Sequence, residues 1–131
     1  MRNYELMRNI LVKTYFKGGD LELLEIVPLS ESNDREKIAE LEEELNRLQE
    51  EGLILHNMKW AHGKFEGGNV KKLTSAGVEF ARELKDDKVW FVCLETLNNS
   101  KLDISYPLIK KVCERIIENI VMKSIPEEFR D

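Results

Sequence analysis

The spacing of apolar residues changes several times along this chain, and each change marks an element. From Asn3 to about Phe16, Tyr4, Met7, Ile10, Leu11 and Tyr15 recur every three or four positions, the period of a helix with one buried face. Asn3 is placed to cap it, Glu5 suits its positive end, and Lys17-Gly18-Gly19-Asp20 closes it. Leu21, Leu23, Leu24, Ile26 and Val27 then bunch, and Pro28 forbids a continuing helix, so Glu22 to Val27 is expected to be a short strand. Asn33 with Glu36 offers a capping arrangement for the next helix. Ile38, Leu41, Leu45 and Leu48 follow at spacings of three, four and three until Gly52. That stripe is narrow and the rest of the helix is polar.

After Gly52 the pattern turns to strands. Leu53 to Trp60 alternates loosely and Val70 to Thr74 reads as its return. His62-Gly63-Lys64 and Gly67-Gly68-Asn69 are turn signals between them, predicting a hairpin with a long, glycine-loosened tip. Ser75 is expected to cap a helix through Val78, Phe80, Ala81 and Leu84. Asp86 and Asp87 start another, carrying Val89, Trp90, Cys93, Leu94 and Leu97, which Asn98-Asn99-Ser100 should break. Ser105 and Pro107 open the last helix, where Ile109, Val112, Cys113, Ile116, Ile117 and Ile120 make a broad apolar face that calls for packing. Residues 124–131 read as a frayed tail.

Helix, short strand, helix ending at Gly52, then a hairpin: this α+β order resembles a winged helix, in which the helix before the glycine enters the DNA groove and the hairpin is the wing. The expected organisation is a single domain, 1–131, with a winged-helix core over 1–74, a helical extension over 75–123 and the tail. The opening Arg2-Asn3-Tyr4-Glu5-Leu6-Met7-Arg8-Asn9-Ile10-Leu11 is similar to that of an uncharacterised family of small bacterial and phage winged-helix-like proteins, a domain of unknown function. Leu73-Thr74-Ser75-Ala76-Gly77-Val78-Glu79-Phe80, followed by Asp86-Asp87-Lys88-Val89-Trp90, resembles that family's second half. The similarity spans roughly residues 2–120. It implies a fold and a phage or mobile-element setting, and it brings no activity or site residues. Two departures stand out: a longer central helix, and Glu42-Glu43-Glu44 where less acidic residues would be expected.

Composition narrows the class. A chain of 131 residues with 42% apolar and 34% charged side chains can bury one real core, which favours a globular domain over disorder. The longest apolar run, Val89 to Leu94, falls far short of the ~20 residues a membrane span needs. Arg2, Glu5 and Arg8 interrupt the only early apolar stretch, so no signal peptide is expected, and two cysteines make no disulfide framework. A cytoplasmic protein with no membrane partner is the expectation.

Charge by segment bears most on function. Residues 34–52 hold 3 basic against 8 acidic side chains, whereas 53–73 hold 4 against 1. The helix in the groove-reading position is thus the most acidic element, and phosphates would repel it. It reads instead as a solvated face or a surface for a basic protein partner. The wing supplies the candidate nucleic-acid-binding residues: Lys59, Trp60, His62, Lys64, Lys71 and Lys72, with Trp60 as a stacking residue and Glu66 the one opposing charge. The plainer alternative is a solvated hairpin with scattered lysines.

Catalytic constellations are thin. Cys93 and Cys113 fall on apolar helix faces, where cysteine behaves as a small hydrophobe. His56 and His62 have no cysteine at zinc spacing. The acidic run Glu40, Glu42, Glu43 and Glu44 follows helical surface positions and lacks a calcium loop's ligand pattern, and Gly67-Gly68-Asn69 is no phosphate loop. No enzyme, metal or cofactor is expected. Two function classes remain. One is a DNA-associated regulatory protein contacting double-stranded DNA weakly through the wing. The other is a protein-interaction module using the acidic helix 34–51 or the apolar C-terminal helix. Leu108, Ile117 and Val121 widen that last stripe beyond one contact surface, so a homodimer, or folding back on the first helix, is also expected.

Overall fold

In a computed structural model, residues 2–129 are described, and they fall into two compact units, Arg2–Arg82 and 83–129. The protein is mixed α+β, with helix dominant and two small antiparallel sheets. No helix among the described residues is long and apolar enough to cross a membrane.

The first unit opens with α1 (Tyr4–Lys17), capped as its sequence predicts: the Asn3 side chain accepts the Leu6 N–H at 3.0 Å. Its Tyr4, Met7, Ile10 and Leu11 are buried, and Gly18 ends it in a left-handed conformation. The expected strand over Glu22–Val27 is absent. Leu21 alone makes a bridge, to Val70, and Leu23–Ile26 forms α2, a single helical turn. The cause is local: the Glu25 carboxylate accepts the Glu22 N–H at 2.7 Å, a helix-start contact that outweighs the strand character of the apolar run. Lys17 pairs with the same carboxylate, and these two partners hold Glu25 below the ordinary carboxylate pKa.

After a 3-10 turn at Leu29–Glu31 comes α3 (Arg35–Glu50). Asp34 caps it rather than Asn33, accepting the Glu36 and Lys37 N–H groups. Ile38, Leu41, Leu45 and Leu48 are all buried, packing α3 against α1 and against β1 (Ile54–His56). The expected single hairpin is two in series: β1 pairs with β4 (Val70–Leu73), and β2 (Lys59–Ala61) pairs with β3 (Lys64–Gly67) beyond it. Spatial order in the inner sheet is therefore Leu21, β4, β1. The tip is not glycine-loosened. It is itself a paired hairpin.

Next, α4 (Ser75–Leu84) begins behind Thr74, not Ser75: the Thr74 hydroxyl accepts the Gly77 N–H at 3.0 Å and donates to the Gly52 carbonyl at 2.6 Å. In the second unit, α5 (Asp87–Ser100) is capped by Asp86 and runs through Asn98 and Asn99. It stops only where Lys101 takes a left-handed conformation. Its partner is α6 (Tyr106–Ser124), and Val89, Trp90, Cys93, Leu97, Ile104, Ile109 and Cys113 are buried in this unit. The apolar face of α6 is less buried than its breadth suggests: only Ile109 and Cys113 are fully inside. Val112, Ile116, Ile117 and Ile120 are half-buried. In place of a frayed tail, Glu127–Phe129 forms a last 3-10 turn, and 130–131 lie outside the described residues.

Candidate nucleic-acid interface

The outer hairpin is built by its turn. Ala61-His62-Gly63-Lys64 has two central residues at positive φ, +52° for His62 and +76° for Gly63, the geometry whose twist matches paired strands. Trp60 then lies opposite Phe65, with ring centroids 5.4 Å apart. Trp60 is half-buried by this pairing, so its ring is not the freely exposed stacking platform that the sequence suggests.

A tight neck joins the outer hairpin to the inner one. The Asn57 N–H donates to the Asn69 carbonyl at 3.1 Å, and the Asn69 N–H donates to Asn57 Oδ1 at 2.9 Å. Gly68 sits here at φ +98°, and a Cβ on it would fall 2.2 Å from the Asn57 carbonyl oxygen. Only glycine fits, both for space and for backbone angle.

The hairpin divides the six candidate residues among different surroundings. Lys64 and Lys71 line one cleft of about 960 Å³, with Phe65, Asn57 and Asn69 on the hairpin side and Leu23, Leu24, Leu29 and Ser32 opposite. Glu22 lines it too, so the cleft is cationic without being purely so. Trp60 and His62 line a second, smaller cleft of about 320 Å³ with Arg35, Ile38 and Glu42 of α3. Lys59 and Lys72 are exposed and line neither cleft; Lys72 stands next to Lys71 on a strand, so their side chains leave opposite faces. The structure thus brings together two of the four lysines. Asn69 Oδ1 and Trp60 Nε1, one from each cleft's lining, are buried without a hydrogen-bond partner among the described residues. Such a group costs about 1–3 kcal/mol until something satisfies it.

The acidic helix is also rearranged relative to expectation. Glu44 is not on its surface. Arg2, fully buried at its side chain, donates through Nε and Nη2 to Glu44 Oε1 at 3.0 and 2.8 Å. Its Nη1 and Nη2 reach Glu51 at 2.9 and 2.6 Å. Burial opposes the charge on Arg2, but the two carboxylates outweigh it and hold the guanidinium above its ordinary pKa. Burial pushes the Glu44 carboxyl above its usual value, with Arg2 pulling back and Glu51 pushing further. Glu36, Glu40, Glu42, Glu43 and Glu50 stay exposed, so the outward face of α3 keeps its acidity.

His56, which the sequence offers only as a histidine without zinc partners, is a hydrogen-bonded part of the scaffold. Its Nε2 lies 2.9 Å from Asn46 Oδ1 and its Nδ1 accepts the Met58 N–H at 3.2 Å, while its own N–H donates to Gln49 Oε1 at 2.8 Å. These partners assign the neutral tautomer with the proton on Nε2. Burial lowers its pKa, the nearby Glu42 charge acting against that. His56 therefore ties the start of the hairpin to the end of α3.

Compared with known proteins, the chain matches no family model, no curated protein and no solved structure.

Proposed function

We propose that the Arg2–Arg82 unit is a winged-helix module of a non-enzymatic, DNA-associated regulatory protein that touches duplex DNA weakly, through its hairpin and not through its central helix. The order of α1, a bridge at Leu21, α2, α3, β1, a projecting hairpin and β4 supports the winged-helix reading. One observation carries the functional reading: Lys64 and Lys71 converge on one cleft of a net-basic hairpin, while the exposed face of the preceding helix α3 remains acidic. Cations on a hairpin neutralise backbone phosphates without reading bases. An acidic α3 would keep the module off the groove floor.

Fluorescence anisotropy of a labelled mixed-sequence duplex tests this with the full chain. Binding is expected at low salt, falling with a slope of log K on log salt of about −2 to −4, as a handful of phosphate contacts gives. The Lys64→Ala/Lys71→Ala variant should lose binding on every duplex equally. No binding by the parent at low salt, or full binding by the double variant, sinks the reading.

A second reading has its own support. Leu24 and Leu29 on the cleft wall are 57% and 75% exposed, and Phe65 faces the same space. Apolar walls beside two lysines suit an extended peptide with acidic and apolar side chains. This protein-interaction reading takes precedence if the duplex experiment fails. The exposed Leu108, Val121 and Met122 of α6 offer a separate surface for a second copy of the chain.

A further inference from the structure

In the second unit, α5 and α6 each turn one cysteine inward. Cys93 and Cys113 are twenty residues apart in sequence, yet their sulfurs lie 3.0 Å from each other and both side chains are fully buried. Buried cysteines ordinarily serve as small hydrophobes, and either one alone would carry no inference. Here the two sulfurs meet head to head, one thiol donating to the other. Closing that gap to the ~2.05 Å of a disulfide needs about an ångström of travel, shared between two packed helices.

We propose that Cys93 and Cys113 form a dithiol–disulfide site: a hydroperoxide oxidises the pair to an intramolecular bond that cross-links α5 to α6, and a dithiol reductant reopens it. The surroundings give the two thiols unequal parts. Cys93 is held below the ordinary thiol value because Cys113 would donate a hydrogen bond to its thiolate. Cys113 is pushed far up, first by that same bond, then by burial and by the nearby Glu83 and Glu114 carboxylates, which Lys110 joins at 3.2 Å each. The two carboxylates beside Cys113 disfavour a thiolate there, so Cys93 is the thiol that ionises and attacks.

With hydrogen peroxide the chemistry balances in two steps. The Cys93 thiolate attacks one peroxide oxygen and the O–O bond breaks. This leaves a Cys93 sulfenic acid and a hydroxide, which takes up the proton Cys93 released to give water. The Cys113 sulfur then attacks the sulfenic sulfur. The S–O bond breaks, and hydroxide departs with the Cys113 proton as a second water. The two thiols lose two electrons and the peroxide gains them. Because neither sulfur is exposed, the peroxide reaches Cys93 only when the α5–α6 contact opens, so oxidation is slow under native conditions and fast once denaturant loosens the helices.

The test uses the full reduced chain, treated with hydrogen peroxide, quenched with catalase, then alkylated in denaturant and weighed intact. The expected product is a monomer lighter by two hydrogens that takes up no alkylating label, regains two labels after dithiothreitol, and unfolds at higher denaturant than the reduced form. Retention of both thiols after a peroxide exposure long enough for a native alkylation control to label Cys93 and Cys113 fully would overturn the proposal. So would oxygen uptake without cross-linking, or a disulfide-linked dimer. Single variants check the division of roles independently of the cross-link. Dimedone should trap a sulfenic acid at Cys93 in Cys113→Ser several-fold faster than at Cys113 in Cys93→Ser, and equal rates overturn the assignment of Cys93 as the attacking thiol.

Discussion

α3 and α6 are both amphipathic, yet they bury opposite shares of their apolar residues. α3 has a narrow stripe, Ile38, Leu41, Leu45 and Leu48, and all of it is inside. α6 has twice the apolar breadth, with Ile109 and Cys113 inside, four residues half-buried, and Leu108, Val121 and Met122 exposed. The width of a stripe measures how much a helix could bury, whereas its neighbours decide how much it does. α3 packs against α1 on one flank and β1 on another, and even draws Glu44 inward because Arg2 is there to meet it. α6 packs on α5, which covers only one side of a wide face.

The largest blow to that contrast should come from Arg2. Arg2→Ala leaves Glu44 buried without its cation and should destabilise the first unit by about 3–5 kcal/mol, read from urea midpoints. The paired variant Arg2→Met/Glu44→Leu should recover much of the loss, since no charge then remains in the interior at that place. A cost of Arg2→Ala no greater than that of a surface substitution would mean that the cluster does not hold α3.

Next in size, Leu45→Ala should cost about 2–5 kcal/mol, as deletion of a fully buried leucine does. Val121→Ala in α6 should stay within about 0.5 kcal/mol. Equal costs at the two positions would erase the contrast between the helices.

A smaller effect comes from acid. His56 is held neutral, its folded pKa below the unfolded value of 6.5, so the unfolded chain takes up a proton first as pH falls. Its contribution is present above pH 6.5 and is lost as pH drops through the folded pKa. Protonation at Nδ1 also forfeits the bond from the Met58 N–H. Glu44, with its raised pKa, acts in the opposite direction, so the measurement is the difference between the parent and His56→Gln in chemical unfolding from pH 7.5 to 5. The variant should show the flatter profile, and parallel profiles would remove His56 from the junction between α3 and the hairpin.

The smallest effect on stability should accompany the clearest change in assembly. Val121→Lys/Met122→Lys should leave the urea midpoint nearly unchanged and lower the average mass in light scattering. A parent that remains monomeric over a wide concentration range would show that the open face of α6 is not used for self-association.

Local cues carried the chain a long way. Asn3, Gly52, Asp86 and the left-handed turn at His62-Gly63 act within a few residues, and their effects were legible or nearly so. At Glu22–Val27 the apolar run favours a strand, but the Glu22–Glu25 pair, a helix-start signal three residues apart, overrides it. Charge alone marks the four lysines of the hairpin, but charge does not contain the fact that Lys64 and Lys71 share a cleft while Lys59 and Lys72 line neither.

By itself the sequence determined the existence of the five longer helices, the stop at Gly52, the basic hairpin following an acidic helix, and the burial of both cysteines. All of these follow from neighbours a turn or a strand away, where periodicity and capping act. Only the tertiary structure decided which acids of α3 are inside, since Arg2 and Glu44 are 42 residues apart. It alone decided that the hairpin is paired to its tip, because the Asn57–Asn69 neck closes across twelve residues. The same holds for the two sulfurs of α5 and α6, which meet 3.0 Å apart. Contacts between distant residues depend on how elements pack, and packing is a property of the whole fold that no local pattern contains.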